Sequence, residues 1–407
     1  MRPLLSSVLS VFIGATAAFA MDSTMVLPES VNSPSIRMGV VSGIGFKFMG
    51  SGDLMSQGEV NSVEFDVRQL SQFEPRVNQL VSALNQFGPN KLGDQLSLGV
   101  LRVDTVPEVR YFAPVYARGI TANWTLGFGI PILTYKNKIT LTQTGSNIEA
   151  MRAQIGNAVP QINSAFNDLS VNLATTAQET LIKKGYKPLV DHDETQIGDL
   201  QLVSVVQFAK RERTSLQFKT IFSLPTGQGN DPDDLADLGA FGFMALENQI
   251  LGNYILSGRW QLAAKTGYRY TFSDRVERRV PQNETDSLPD QSTRETVGRS
   301  TGGAVFVGGS LTYSATETID LAVGIESTRK AADTYAGNRG SRYDLLERDT
   351  NANSDRIRLG VTYSSVETFL AGKAWLPSMI AYEFSDTVRG LNTERQTIHE
   401  IWLQLFF

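Results

Sequence analysis

Three groups of residues in this 407-residue chain have the types and spacing for chemistry. Gly298-Arg299-Ser300-Thr301-Gly302 fits the G-x-S-x-G pattern of a nucleophilic serine, which needs a strand-to-helix elbow and a histidine in reach. The chain has two histidines, His192 in a polar stretch and His399 near the end, and the motif precedes a strand-like run. It reads as a Gly/Ser-rich loop end, and no enzyme is expected. The second group is acidic. Asp349, Asn351, Asn353 and Asp355 have the alternating oxygen ligands of a calcium loop, but such a loop needs Gly at its sixth position and Glu at its twelfth. Ser354 and Gly360 stand there. Asp231, Asp233, Asp234 and Asp237 form a second cluster, and Asp191-His192-Asp193-Glu194 a third. All read as solvated loop charge; neither metal nor cofactor is expected. Thiol chemistry is excluded because the chain has no cysteine.

The third group sets the fold problem. Lys219, Arg259, Lys265, Arg269, Arg356 and Arg358, with Asp320 and Glu326, occupy every second place in runs whose other places are apolar. Leu216, Phe218, Phe222 and Leu224 oppose Ser215, Gln217 and Lys219; Ile319, Leu321, Val323 and Ile325 oppose Asp320 and Glu326. Period-two alternation means strands with two unlike faces. The runs reach ten or more residues, the length of a tilted membrane strand rather than of an average soluble one. Their connections alternate between tight and long: Arg211–Thr214, Ser257-Gly258, Ser314–Glu317 and Ser364–Glu367 against polar stretches at 226–238, 277–300, 332–352 and 386–395. Short turns at one end and long loops at the other are the habit of transmembrane barrels.

About twelve antiparallel strands (ten to fourteen) are expected, near 36–48, 106–118, 121–142, 198–211, 213–225, 239–256, 259–275, 302–314, 317–330, 354–365, 368–385 and 396–407. With the apolar faces on lipid, the inner wall receives the basic group above, together with Lys47, Arg110, Arg118 and Lys373, and the acids Asp320, Glu326, Glu367 and Glu400. This wall is basic although the whole chain has a net charge of −5, which disfavours a nucleic-acid partner. Trp124, Trp260 and Trp402 suit an interfacial aromatic belt; Trp375 falls mid-strand and would be a contact residue if it faced inward.

The first twenty residues, with Arg2, an apolar run from Leu4 and Ala18-Phe19-Ala20, read as a secretory signal peptide. Residues 21–35 then form a short periplasmic segment and 36–407 the barrel. Two insertions near 60–88 and 146–185 carry apolar residues at intervals of three and four, the mark of amphipathic helices. Pro75 and Pro160 would start or kink helices there. Their apolar faces, with Phe73, Val77, Leu80 and Leu84 in the first and Ile155, Ile162 and Phe166 in the second, cap each other, form a capture site for a ligand, or bind a membrane surface or a partner.

Two resemblances follow from these residues. The ending Glu-Ile-Trp-Leu-Gln-Leu-Phe-Phe resembles the C-terminal signature of outer-membrane barrels, with Glu400, Leu405 and Phe407 at family spacing and Trp402 where Gly is common. That resemblance implies recognition by the barrel-assembly machinery. Ser223-Leu224-Pro225-Thr226-Gly227, followed by Gly229, Asp231-Pro232 and Leu238-Gly239, resembles the strand-to-loop stretch of the FadL-like and phenol-degradation meta-pathway outer-membrane proteins. Those proteins take up fatty acids and aromatic hydrocarbons and carry outer-loop helices, but they have a longer N-terminal plug than Met21–Ser35 could form. The expectation is an outer-membrane channel or transporter for passive uptake of small solutes, hydrophobic or amphipathic ones among them. An anion-preferring general porin and a structural or surface-binding barrel without solute flux remain the alternatives. Outer-membrane lipids, lipopolysaccharide and a small solute are the expected partners.

Overall fold

The computed structural model describes residues 26–64, 75–86, 91–97, 99–155, 173–237, 242–284, 286 and 288–407. The signal-peptide reading lies outside the described residues. Twelve strands close into one antiparallel barrel: β1 (Asn32–Ser42), β2 (Val100–Thr121), β3 (two runs, Trp124–Gly129 and Ile132–Thr144), β4 (Leu200–Lys210), β5 (Thr214–Leu224), β6 (Ala245–Ser257), β7 (Trp260–Thr271), β8 (Ala304–Ser314), β9 (Ile319–Lys330), β10 (Ala352–Ser364), β11 (Ser378–Leu391) and β12 (Thr397–Leu405). Each strand pairs with its sequence neighbours, and β1 pairs with both β2 and β12, so no barrel edge is left open. Closure satisfies every ladder within the sheet, which lipid demands.

The outer surface is apolar. Phe218, Leu262, Val323, Ile325, Leu359, Val361, Ile401 and Leu403 are all exposed, while the alternate residues point inward. No helix among the described residues is long and apolar enough to cross a membrane; the crossing belongs to the strands.

Both expected helical insertions contain helices: α1 (Pro75–Gln86), α2 (Ile148–Ile155) and α3 (Leu173–Lys183). Pro75 opens α1, where its missing N–H costs nothing. Val63–Glu64, read as helical, instead pairs as a short strand with β2. Val77, Leu80 and Leu84 of α1 are buried with Leu96, Leu101 and Met151, and Ala174 and Ala177 of α3 pack on the same cluster. The apolar faces therefore meet one another and the top of β2. Phe73, Ile162 and Phe166 lie outside the described residues, as does the side chain of Ile155.

Several boundaries differ from the sequence reading. The link from β10 to β11 is not a tight turn: it holds a helical turn at Val366–Leu370, and β11 begins only at Ser378. Trp375 lies in that link, 89% exposed, and does not face the lumen; Glu367 and Lys373 belong to the same link, off the wall. At the other end, within 386–395, β11 continues to Leu391 along β10 only, and its pairing with β12 ends at Asp386 and Thr397.

The first described residues enter the barrel at the end with the short turns. The Leu27 amide donates to Thr125 Oγ1 at 2.8 Å. Leu27 is buried with Ala117, Met379, Trp402 and Phe406, and Val26 packs on Val203, Val205 and Ile221. Gly119 makes room for this segment; a side chain there would collide with the Pro28 carbonyl.

Candidate functional site: the barrel interior

The lumen is built in three levels. Nearest the turns Leu27, Ala117, Trp402 and Phe406 pack together beside the buried pair Ser33 and Gln404. Nearest the loops Val41, Ile44, Val109 and Leu133 are buried together with Tyr111 and Tyr135, and Ile398 packs on them. Between them runs a girdle of ionised side chains.

The girdle follows from strand register. Glu400 of β12 stands opposite Gly39 of β1 and Glu383 of β11. Arg37, one inward position away on β1, reaches Glu400 with Nη2 at 2.5 Å and Nε at 3.2 Å. The Tyr111 hydroxyl of β2 donates to the other oxygen of Glu400. Arg358 of β10 donates from Nε to Glu383 at 2.8 Å and lies 3.8 Å from Glu326 of β9. Lys265 of β7 reaches Glu326 at 2.5 Å by crossing β8. It crosses at Gly308, where a β-carbon would sit 3.1 Å from Lys265 Cε. The Arg37 guanidinium also lies 5.5 Å from the centre of the Trp402 ring, which joins the girdle to the level below.

Of the sequence-predicted wall residues, Lys219, Lys265, Arg269, Glu326, Arg356 and Arg358 sit on inward-facing positions. Asp320 is lower, accepting from Ser314 Oγ at 2.7 Å. Arg259 is not in the wall: it sits exposed in the β6–β7 turn, 3.4 Å from the Tyr313 hydroxyl. Arg110 and Arg118 face outward, and Arg110 pairs with Glu108 at 2.7 Å. The reason lies in β2, whose inward positions are Val109, Tyr111, Ala113, Val115 and Ala117. The charged residues of that strand, Glu108, Arg110 and Arg118 among them, lie on its outward face, so alternation alone assigns it backwards. Lys47 lies in the short strand Phe46–Phe48 of the first loop, beside Glu394. Trp402 is not part of an outer belt but 7% exposed inside the barrel. Arg37, Tyr111 and Glu383 carry the girdle without having been singled out; Arg37 was legible from its inward place between Ser35 and Gly39.

Glu400 is thus a lumen residue, while Leu405 and Phe407 stay on the outward face. The Phe407 amide donates to the Asn32 carbonyl at 3.0 Å, and the Asn32 amide to the Phe407 carbonyl at 2.7 Å. The pair extends the β1–β12 seam by one rung.

The outer loops are clamped by charge. Arg279 is buried over the Tyr186 ring at 3.7 Å, donates to the carbonyls of Lys184, Gly185 and Pro289, and pairs with Asp233 at 2.7 Å. Burial pushes the Tyr186 hydroxyl up to about 12 against the pull of Arg279. Arg294 reaches Asp233 at 2.6 Å, and Lys187 reaches Asp231 at 3.0 Å. Burial alone would raise the Asp231 carboxyl, but the Asp233 amide and Lys187 hold it below its ordinary value. The Asp231–Asp237 cluster is therefore tied to loop cations, and no group of metal-ligating side chains is found among the described residues. The Ser-Leu-Pro-Thr-Gly stretch is fixed in the same way. Thr226 Oγ1 accepts from the Leu200 amide at 2.8 Å, and Asp199 accepts from the Gly227 amide at 2.9 Å. Ser300 closes a strand of the outer sheet (Arg294–Ser300) and forms no elbow.

No family model matches the chain, and no curated relative matches it. Solved structures do. A crystal structure of an outer membrane channel from Pseudomonas putida F1 superposes with a TM-score of 0.54 at 10% identity, covering 96% of this chain and 100% of that one. The toluene transporter TodX of P. putida gives a TM-score of 0.36 at 10% identity, covering 94% and 91%. Closed pairing, an apolar outer face and the first of these superpositions agree: the chain is a twelve-stranded antiparallel β-barrel with the fold of a bacterial outer-membrane channel.

Proposed function

We propose that this barrel carries small hydrophobic or amphipathic solutes passively across the outer membrane. The observation that supports this reading is the lumen wall. Val41, Val109, Leu133, Val203 and Ala117 are buried on inward-facing positions of β1–β4, while β5–β8 turn Gln217, Lys219, Gln249, Asn253 and Ser310 inward, so the interior has an apolar side and a polar side. A water-filled porin has a polar interior instead. The charges at mid-height are paired across strands, so they hold one another more than they hold water. An amphipathic solute meets apolar side chains on the β1–β4 side and polar ones on the β5–β8 side.

The test compares uptake of an apolar and a hydrophilic solute by the purified barrel in liposomes. Toluene or decanol entering at a rate proportional to barrel density, with sucrose and arabinose swelling at the protein-free rate, is the expected result. Sugar swelling at porin rates would overturn the reading in favour of a general porin. Absence of flux for either class would leave a structural barrel.

A further inference from the structure

We propose that the turn end of β4–β7 binds the headgroup of an anionic phospholipid through Lys210, Arg211, Arg213 and Arg259. The site lies on the outside of the barrel and is independent of what crosses the lumen.

The β4–β5 turn gathers Lys210, Arg211 and Arg213 around a single acid, Glu212, and all of them are exposed. The Arg211 amide donates to the Thr214 carbonyl at 2.7 Å, which closes the turn. The Ile255 amide donates to the Arg213 carbonyl at 2.8 Å, which sets this turn beside the end of β6. The β6–β7 turn then supplies Arg259, also exposed, whose carbonyl accepts from the Ser314 amide at 2.8 Å. Neighbouring strand ends thus bring four cations together with one carboxylate. Among the described residues none of the four cations has an ion-pair partner. The other links at this end, β2–β3, β8–β9 and β10–β11, contribute one basic residue, Lys373.

The surface beside the cations selects a lipid over a soluble anion. Phe208, Tyr254 and Trp260 are exposed on the outward face next to the turns, continuous with the apolar wall of Phe218 and Leu262. The Trp260 ring lies 4.7 Å from that of Tyr313, and Arg259 Nη1 donates to the Tyr313 hydroxyl at 3.4 Å. Rings of this kind sit at headgroup depth, and clustered cations beside them attract anionic headgroups. The guanidinium forks suit phosphate oxygens, while the acyl chains of the same molecule lie along the outer wall. A free phosphate would leave the rings unused. Short turns face the periplasm, so the lipid is a phospholipid of that leaflet and not lipopolysaccharide.

The test is native mass spectrometry of the full barrel from micelles holding equal phosphatidylglycerol and phosphatidylcholine, with the adducts of each lipid counted. Only protein that migrates as folded barrel on an unheated gel is scored. Wild type should carry phosphatidylglycerol in about fivefold excess or more, the effect of one basic residue close to a headgroup. The excess should shrink as ionic strength rises. Lys210→Gln, Arg211→Gln, Arg213→Gln and Arg259→Gln together should bring the ratio to within about twofold of that in the micelle. Arg211→Lys, Arg213→Lys and Arg259→Lys together keep the charge and should keep a clear excess. Lys91→Gln, Lys138→Gln, Arg275→Gln and Arg389→Gln together remove the same charge from exposed positions at the loop end and should leave the wild-type ratio. An equal loss in this loop-end variant would overturn the proposal, because only net charge would then count. So would a wild-type ratio no higher than that of the micelle, or a turn variant that keeps the wild-type ratio. Displacement of phosphatidylglycerol by an equal concentration of glycerol 3-phosphate would overturn the lipid assignment in favour of a soluble anion.

Discussion

Tyr111 of β2 lies against Gly39 of β1, and a β-carbon at residue 39 would overlap its ring. The glycine is what lets the phenol reach Glu400 across the strand. Gly39→Ala should push the ring off that carboxylate and destabilise the barrel by about 1–3 kcal/mol, the usual cost of overpacking. Urea unfolding in lipid vesicles, followed by tryptophan emission, measures it. Stability equal to wild type would show that the contact is slack.

Glu326 is the shared acid of Lys265 and Arg358, each about one-eighth exposed. Glu326→Gln leaves two buried cations without their common partner and should cost about 3 kcal/mol. It should also move the reversal potential of any residual ion current toward anions. A planar bilayer under a salt gradient reads the second effect, and an unchanged potential would place the ion path away from β9.

Arg279 joins three loops through Asp233, Tyr186 and the carbonyls of Lys184, Gly185 and Pro289. Lysine keeps the charge but lacks the fork. Arg279→Lys should leave the barrel melting transition in place while protease cuts the 145–199 and 272–303 loops at least several-fold faster. Unchanged loop cleavage with a lowered barrel transition would reverse that assignment.

Glu295 accepts from the Asn338 amide at 3.0 Å and the Tyr343 hydroxyl at 2.8 Å. Burial works to raise its carboxyl, but these donors and Arg339 bring it below the ordinary 4.5. A carboxylate depressed in the folded state adds stability above its unfolded value and loses it as the pH falls through the folded one. Hydrogen exchange at 335–343 should therefore be flat from pH 7 to about pH 4.5, after correction for intrinsic rates, and accelerate below. Glu295→Gln should flatten the acid limb.

Phe407 adds the last rung to the seam with Asn32 and keeps its ring on the outside. Removing Phe407 should lower the amount of barrel assembled in cells well below wild type. Refolding into detergent in vitro should stay within a few-fold, because nothing there reads the terminus. Equal loss in both settings would make the residue structural only.

The strands with one charged face were legible. In β7, β9, β10 and β12 polar and apolar residues alternate cleanly, and apart from Trp402 each faces as expected. β2 was not, because its inward face, with Val109, Val115 and Ala117, is apolar while its outward face carries Glu108, Arg110 and Arg118. The link at 366–377 misled for a related cause: Phe369, Leu370 and Trp375 look like strand residues but are exposed beyond the strand end. The paired girdle was hidden because it depends on register between chains of residues far apart. Only pairing shows that Lys265 passes over Gly308, or that Arg37 and Glu400 share a level.

The seam between β1 and β12 also bears on how such a chain can fold. Ile36 pairs with Leu403, nearly the full chain away, whereas every other barrel pairing joins consecutive strands. Contact order is thus low around the wall and very high at one line. Hairpins can add one after another at little loop entropy, but the ring stays open until the last has arrived. Until then two sheet edges with unpaired amides face the surroundings, the state most prone to pair with another molecule. Closure is then a single late event whose delay, rather than the stability of the finished wall, sets the hazard of misassembly.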